Sequence, residues 1–114
     1  MTNAASDPLS NLEYHVLLAL AGRVLYGYAI KEAVSAESRG TLRPRAGSLY
    51  RVLARLMVRG LVQEVAPDSP AEPHPGLERK YYALTQQGRA TLRAEASRQR
   101  EAAMLAARRL RHVD

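Results

Sequence analysis

Between Ala66 and Glu78 the chain carries Pro67, Pro70, Pro73, Pro75 and Gly76. Proline has no N–H to donate and its ring crowds the preceding turn, so this stretch is neither a helix nor a central strand. It reads as a long, mobile loop. The segments beside it, Leu61 to Val65 and Arg79 to Leu84, alternate loosely between apolar and polar residues, the pattern of two strands joined as a hairpin. The hairpin divides the chain into a run of short helices before it and one long helix after it.

The first helix begins after Ser10. Ser10 and Glu13 have the S-x-x-E spacing of a capping box, Leu12, Val16, Leu17 and Leu20 form an apolar stripe, and Gly22 supplies the stop. A second helix is expected from about Tyr28 to Ser38, ended by Gly40, with Thr41 and Leu42 as a brief extended piece. Pro44 interrupts, and the chain re-enters helix near Ala46, where Leu49, Val52, Leu53, Leu56 and Met57 make a core-facing stripe. Arg51, Arg55 and Arg59 recur every fourth residue on another side of the same helix, an arginine ladder directed outward. Thr85 is placed to cap a last helix running to about Leu110, which at 1.5 Å per residue is about 37 Å long.

That last helix has its own pattern. Leu92, Ala96, Gln99, Ala103, Ala106 and Leu110 are spaced four and three apart, a heptad-like seam with small residues at its contacts. A chain of 114 residues forms one domain with one modest core, which leaves such a helix nothing of its own to pack on. A second copy of the chain is the simplest partner. The expected organisation is therefore an N-terminal arm over 1–10, a globular unit over 11–84 and a dimerisation helix over 85–114.

Charge points to a partner of another kind. The chain has 17 Lys and Arg against 11 Asp and Glu, a net +6. From Arg39 to Gly60 there are six arginines, at 39, 43, 45, 51, 55 and 59, with no Asp or Glu among them. Charge concentrated on one element suits a polyanion. Other classes lose ground. There is no Cys, the three His lie far apart, and no P-loop, dinucleotide fingerprint or Ser-His-Asp arrangement occurs, so neither a metal, a cofactor nor catalysis is expected. The first ten residues lack a signal-peptide pattern and no apolar run approaches about 18 residues, so the expectation is a cytoplasmic protein with no membrane partner.

Three helices followed by a hairpin is the order of a winged helix-turn-helix, in which the third helix enters the DNA major groove and the hairpin tip lies along the neighbouring backbone or minor groove. The fold class is thus mainly α with a small β-hairpin, extended by the long C-terminal helix. In that frame the acid-free arginines fall on the turn and the recognition helix, and Arg79 with Lys80 falls at the base of the wing.

The residues also carry a family resemblance. Leu17-Leu18-Ala19-Leu20, Tyr26-Gly27-Tyr28-Ala29-Ile30, Gly47-Ser48-Leu49-Tyr50, Arg59-Gly60-Leu61-Val62 and Arg79-Lys80-Tyr81-Tyr82-Ala83-Leu84-Thr85 with Gly88, in this order and spacing, resemble the PadR family of transcriptional regulators over residues 12 to about 95. The resemblance implies a homodimeric winged-helix DNA-binding protein, commonly a repressor, in the branch with a short C-terminal helical region, whose last helix exchanges contacts with the partner's first helix, so that Leu12 and Val16 of the first helix join the seam as expected dimerisation residues. It also implies that Ser48 and Tyr50 approach double-stranded DNA from the recognition helix and that Tyr28 with Lys31 does so from the second helix. A small-molecule effector at the dimer interface is allowed by the resemblance, although the chain has no Trp or Phe to stack on one. Arg51 stands where the family usually has Pro, and Arg45 stands where a small polar N-cap is expected.

The residues expected to bind DNA are therefore Tyr28, Lys31, Arg43, Arg45, Ser48, Tyr50, Arg51, Arg55, Arg79 and Lys80. Of the adjacent strand tyrosines, Tyr82 is expected to face outward and Tyr81 inward. Tyr14 is expected in the core and His15 at the surface or an interface. Gly47 is expected where a side chain would crowd either the helix start or the DNA backbone. The competing function is a winged-helix interaction module that docks the same basic face on an acidic protein surface.

Overall fold

The computed structural model describes residues 7–66 and 79–112. The Pro-rich tip of the hairpin lies outside the described residues. Seven elements follow in order: α1 (Asn11–Ala19), β1 (Leu25–Tyr26), α2 (Gly27–Glu37), α3 (Ala46–Val58), β2 (Val62–Val65), β3 (Tyr81–Leu84) and α4 (Gln86–Leu110).

The start of α1 is the capping box that its sequence implies. Ser10 Oγ accepts the Glu13 N–H at 3.1 Å, and Glu13 Oε1 accepts the Ser10 N–H at 2.8 Å, so two amides that the helix cannot satisfy itself are paired. Between α2 and α3 the chain reverses through two left-handed residues, Arg39 (φ +54°) and Gly40 (φ +76°). Thr41 and Leu42 are not a free extended piece. The Leu42 N–H donates to Ser38 Oγ at 3.0 Å and Thr41 Oγ1 donates to the Ser38 carbonyl at 2.7 Å, which closes the turn on the end of α2.

The sheet has three strands rather than the two of a bare hairpin. Its order is β1-β3-β2, all antiparallel, with Leu25 opposite Tyr82 and Val62 opposite Leu84. β1 is two residues long, too short for alternation to register in the sequence, yet it anchors the start of α2 to the base of the wing. The register also reverses the reading of the two tyrosines. Tyr82 is buried, 3% exposed, and Tyr81 is half-buried, because the strand's apolar face must carry Leu84 into the core and Tyr82 shares that face at i−2.

The core gathers Val16, Leu17 and Leu20 of the α1 region, Ile30 and Val34 of α2, Leu49, Val52, Leu53 and Leu56 of α3, and Leu61, Val62, Tyr82 and Leu84 of the strands and their approaches. Met57 completes the α3 stripe in sequence but is 38% exposed. Thr85 fastens α4 to this core. Its Oγ1 donates to the Gly60 carbonyl at 2.6 Å and accepts the Gly88 N–H at 2.9 Å. Gly88 lies against the Leu61 carbonyl so closely that a Cβ there would overlap the oxygen. Beyond Ala96 every described residue of α4 is exposed, and the molecule reaches 60 Å along its longest axis.

Candidate nucleic-acid interface

The N-terminal end of α3 is built to leave backbone and cations open. Arg45 is its N-cap residue and makes no capping hydrogen bond, and no acid lies in the first turn. The first amides of the helix therefore keep their positive end uncompensated. Ala46 and Gly47 are exposed, and no atom lies within 4 Å of the position of a Cβ on Gly47, so crowding of the helix start does not account for that glycine. One turn on, Tyr50 is 50% exposed and Arg51 is exposed, with the Arg51 guanidinium 3.5 Å from Ser48 Oγ. Arg43, also exposed, lies along Gly40 in the preceding turn.

Tyr50 joins this end of α3 to a groove of about 650 Å³ whose walls include Tyr26, Tyr28, Tyr82, Arg79 and Lys80. β1 and β3 bring these residues together from positions more than fifty apart in the chain. The Arg79 guanidinium stacks on the Tyr26 ring at 4.4 Å, and that ring meets Tyr81 edge-on at 5.9 Å. Lys31 Nζ lies 5.8 Å from the centre of the Tyr28 ring. Hydrogen bonding to the Glu32 carboxylate, and then its charge, hold the Tyr28 phenol above its ordinary value. Burial, followed by the neighbouring Tyr50 and Glu64, does the same for Tyr82. Both phenols are therefore neutral at physiological pH and able to donate.

Tyr28, Tyr50, Arg79 and Lys80 thus converge around one groove, with Lys31 beside the Tyr28 ring and Arg45, Ser48 and Arg51 on the adjoining turn of α3. Arg55 and Arg59 do not join them. Arg59, expected on the outward ladder, turns inward: its side chain is 11% exposed, Nη1 is 3.3 Å from Glu13 Oε2, and Nη2 donates to the Asp7 carbonyl at 2.6 Å. Arg55 is more exposed, but its Nε is 3.9 Å from the same Glu13 oxygen. The acid responsible lies in α1, outside the stretch whose lack of acid made the ladder look free.

The proposed partner surface is also redistributed. Val16 is 0% exposed and belongs to its own core, so it has no surface to offer a second copy. Leu12 and Leu92 are half-buried against that core. Ala96, Gln99, Ala103, Ala106 and Leu110 lie exposed along α4. Met104 (49%) and Leu105 (38%) are exposed as well and lie off the heptad seam, which is why the spacing passed over them. A groove of about 310 Å³ runs between α1 and α4, lined by Tyr14, Leu18, Leu84, Leu92 and Ala96 among others. Tyr14 is half-buried there rather than enclosed, and its ring meets His15 edge-on at 5.6 Å.

Among the described residues no group of His, Cys, Asp or Glu is placed to hold a metal, and no helix is long and apolar enough to cross a membrane. The family model for PadR-like transcriptional regulators matches residues 16–94, most of the chain. The protein belongs to the PadR-like family. Solved PadR structures share its fold. A PadR family regulator from hypervirulent Clostridium difficile aligns at a TM-score of 0.71 and 22% identity, covering 89% of this chain and 99% of that one. A PadR-like transcription factor from Bacteroides fragilis aligns at 0.67 and 29%, covering 85% and 87%. Bacillus subtilis PadR, solved in complex with operator DNA, aligns at 0.65 and 25%, covering 78% of this chain. The alignment spans about half, 48%, of that longer protein. No curated protein is matched. The PadR-like match ends at residue 94, so the exposed part of α4 lies beyond it.

Proposed function

We propose that this PadR-like chain is a homodimeric, sequence-specific DNA-binding regulator that acts as a repressor on a pseudo-palindromic operator. The observation that carries the reading is the N-terminal end of α3, which has an uncapped start, no first-turn acid, an open Gly47, and Arg45, Ser48, Tyr50 and Arg51 within two turns. Such an end enters the major groove of duplex DNA, where Arg45 is placed to reach a guanine edge in bidentate fashion and Arg51 to pair with a phosphate. Tyr28, Lys31, Arg79 and Lys80 then hold the flanking backbone. Phosphate contacts fix the register, and the side chains at the start of the helix read the bases.

Two copies supply two such helices, and half-sites one turn, about 34 Å, apart are the expected spacing. The exposed length of α4, its apolar residues Met104, Leu105 and Leu110, and the open groove between α1 and α4 support pairing through this helix. The test is fluorescence anisotropy against the chain's own upstream DNA and a scrambled duplex at about 50 and 200 mM salt, with mass by light scattering. Tight, salt-sensitive, sequence-dependent binding by a dimer is the expected result. Equally weak binding to both duplexes would contradict an operator upstream of the gene. Capture of an acidic protein with no DNA affinity at all would favour the interaction-module reading.

A further inference from the structure

Gly27 opens α2 and is buried. A Cβ built on it would stand 2.6 Å from Tyr50 Oη, 3.0 Å from its Cζ and 3.2 Å from its Cε1. The phenol of Tyr50 therefore lies across the bare Cα, closer than any side chain would allow. Nothing in the helix asks for glycine at this point. Its φ is not among the left-handed values of the chain, and alanine is the better helix former. What the missing side chain provides is a seat for one ring.

The ring it seats belongs to the proposed DNA-reading end of α3. Tyr50 lies two residues after Ser48 and directly before Arg51, and it forms a wall of the groove that also holds Tyr28, Arg79 and Lys80. Tyr82 lines the same groove, and Tyr50 is close enough to it to affect its phenol. With α2 on one side and β3 on the other, the seat limits where the half-exposed Tyr50 side chain can point before DNA arrives, which lowers the ordering cost of its contact.

We infer that Gly27 is a positioning residue for DNA binding, its bare Cα holding the Tyr50 phenol in the orientation that meets the duplex. The inference rests on the DNA-binding reading above. It does not reduce to packing, as Gly88 shows by contrast. A methyl at Gly88 would strike the Leu61 backbone, which cannot move without the fold moving. A methyl at Gly27 strikes the far end of a rotatable side chain that is 50% exposed, so Tyr50 can swing out to solvent while the fold stays intact.

The experiment compares Gly27→Ala, Tyr50→Ala and the double variant on a duplex selected by the wild-type protein from a random 30-base-pair pool, with melting followed by circular dichroism. Gly27→Ala should melt within about 3 °C of wild type and bind about tenfold more weakly, the scale of one lost contact. The double variant should bind no worse than Tyr50→Ala alone. In the wild type, an NOE should connect the Gly27 Hα protons to the Tyr50 ring. Equal losses from Gly27→Ala in both backgrounds, unchanged affinity in folded Gly27→Ala, or a missing NOE would each overturn the inference. A wild type that shows the NOE yet selects no duplex would instead overturn the DNA reading, and would leave the seat as a packing contact without a binding role.

Discussion

The two ends of α3 belong to one arginine-rich helix, yet they meet opposite surroundings. At the N-terminal end Arg45 and Arg51 are exposed and no acid lies in the first turn. At the C-terminal end Arg59 is nearly buried and paired with Glu13, whose carboxylate is 9% exposed and already holds the cap of α1. The same residue type therefore does two jobs. One end of the helix leaves its charge open to solvent, and the other fixes the helix to the scaffold that holds it still. Spacing along a helix reports which side a residue faces, but the fold decides what that side meets.

The largest effect should come from breaking the fixed end. Arg59→Met leaves the Glu13 carboxylate with only the Ser10 amide and a distant Arg55, and is expected to cost about 2–4 kcal/mol, less than a fully isolated buried charge. A melt should then fall by roughly 10 °C or more, while the salt dependence of DNA binding stays as in wild type. A shallower salt slope in this variant would place Arg59 on DNA and dissolve the contrast.

Arg51→Ala is the mirror experiment at the open end. Its melting temperature should stay within about 1 °C of wild type. Its affinity should fall on all sequences alike, and the slope of log affinity against log salt should become shallower by about one. Arg45→Ser sharpens the contrast further, because it supplies the missing N-cap. Stability should rise by about 0.5–1 kcal/mol, while selection of duplexes from a random pool becomes less stringent. A variant that gains stability and keeps full base preference would remove Arg45 from the reading surface.

The smallest effect is expected at Gly47. Alanine there meets no protein atom, so the fold should gain a few tenths of a kcal/mol from helix propensity. Any loss of affinity then reports a backbone that approaches DNA more closely than a methyl permits. Equal affinity in Gly47→Ala would mean that the helix start stands off from the duplex.

Much of this architecture was legible in the sequence because local chemistry dictates it. The capping box at Ser10 and Glu13, the Thr85 cap, the helical stripe of α3 and the proline-rich break each act within a few residues, and the first three appear where the pattern places them, the last lying outside the described residues. The misses are long-range. β1 exists because two residues find an edge of β3 more than fifty positions later, and Tyr82 turns inward because β3 is registered against both β1 and β2. The Arg59–Glu13 pair spans 46 positions, and the Gly27–Tyr50 seat joins two helices. None of these leaves a periodic trace. Val16 faces its own core for a related reason: an apolar stripe shows that a surface is covered, not whether its own core or a second copy covers it.

The central claim is that DNA meets the N-terminal end of α3 and the groove beside it, and not the end tied to α1. Backbone amide shifts of the labelled protein, recorded during titration with a duplex selected by the wild type, address it residue by residue. The account expects the largest shifts at residues 45–51, 28–31 and 79–80, with 55–59 and 10–13 nearly unmoved. Large shifts centred on 55–59 and the start of α1, with 45–51 silent, would contradict it.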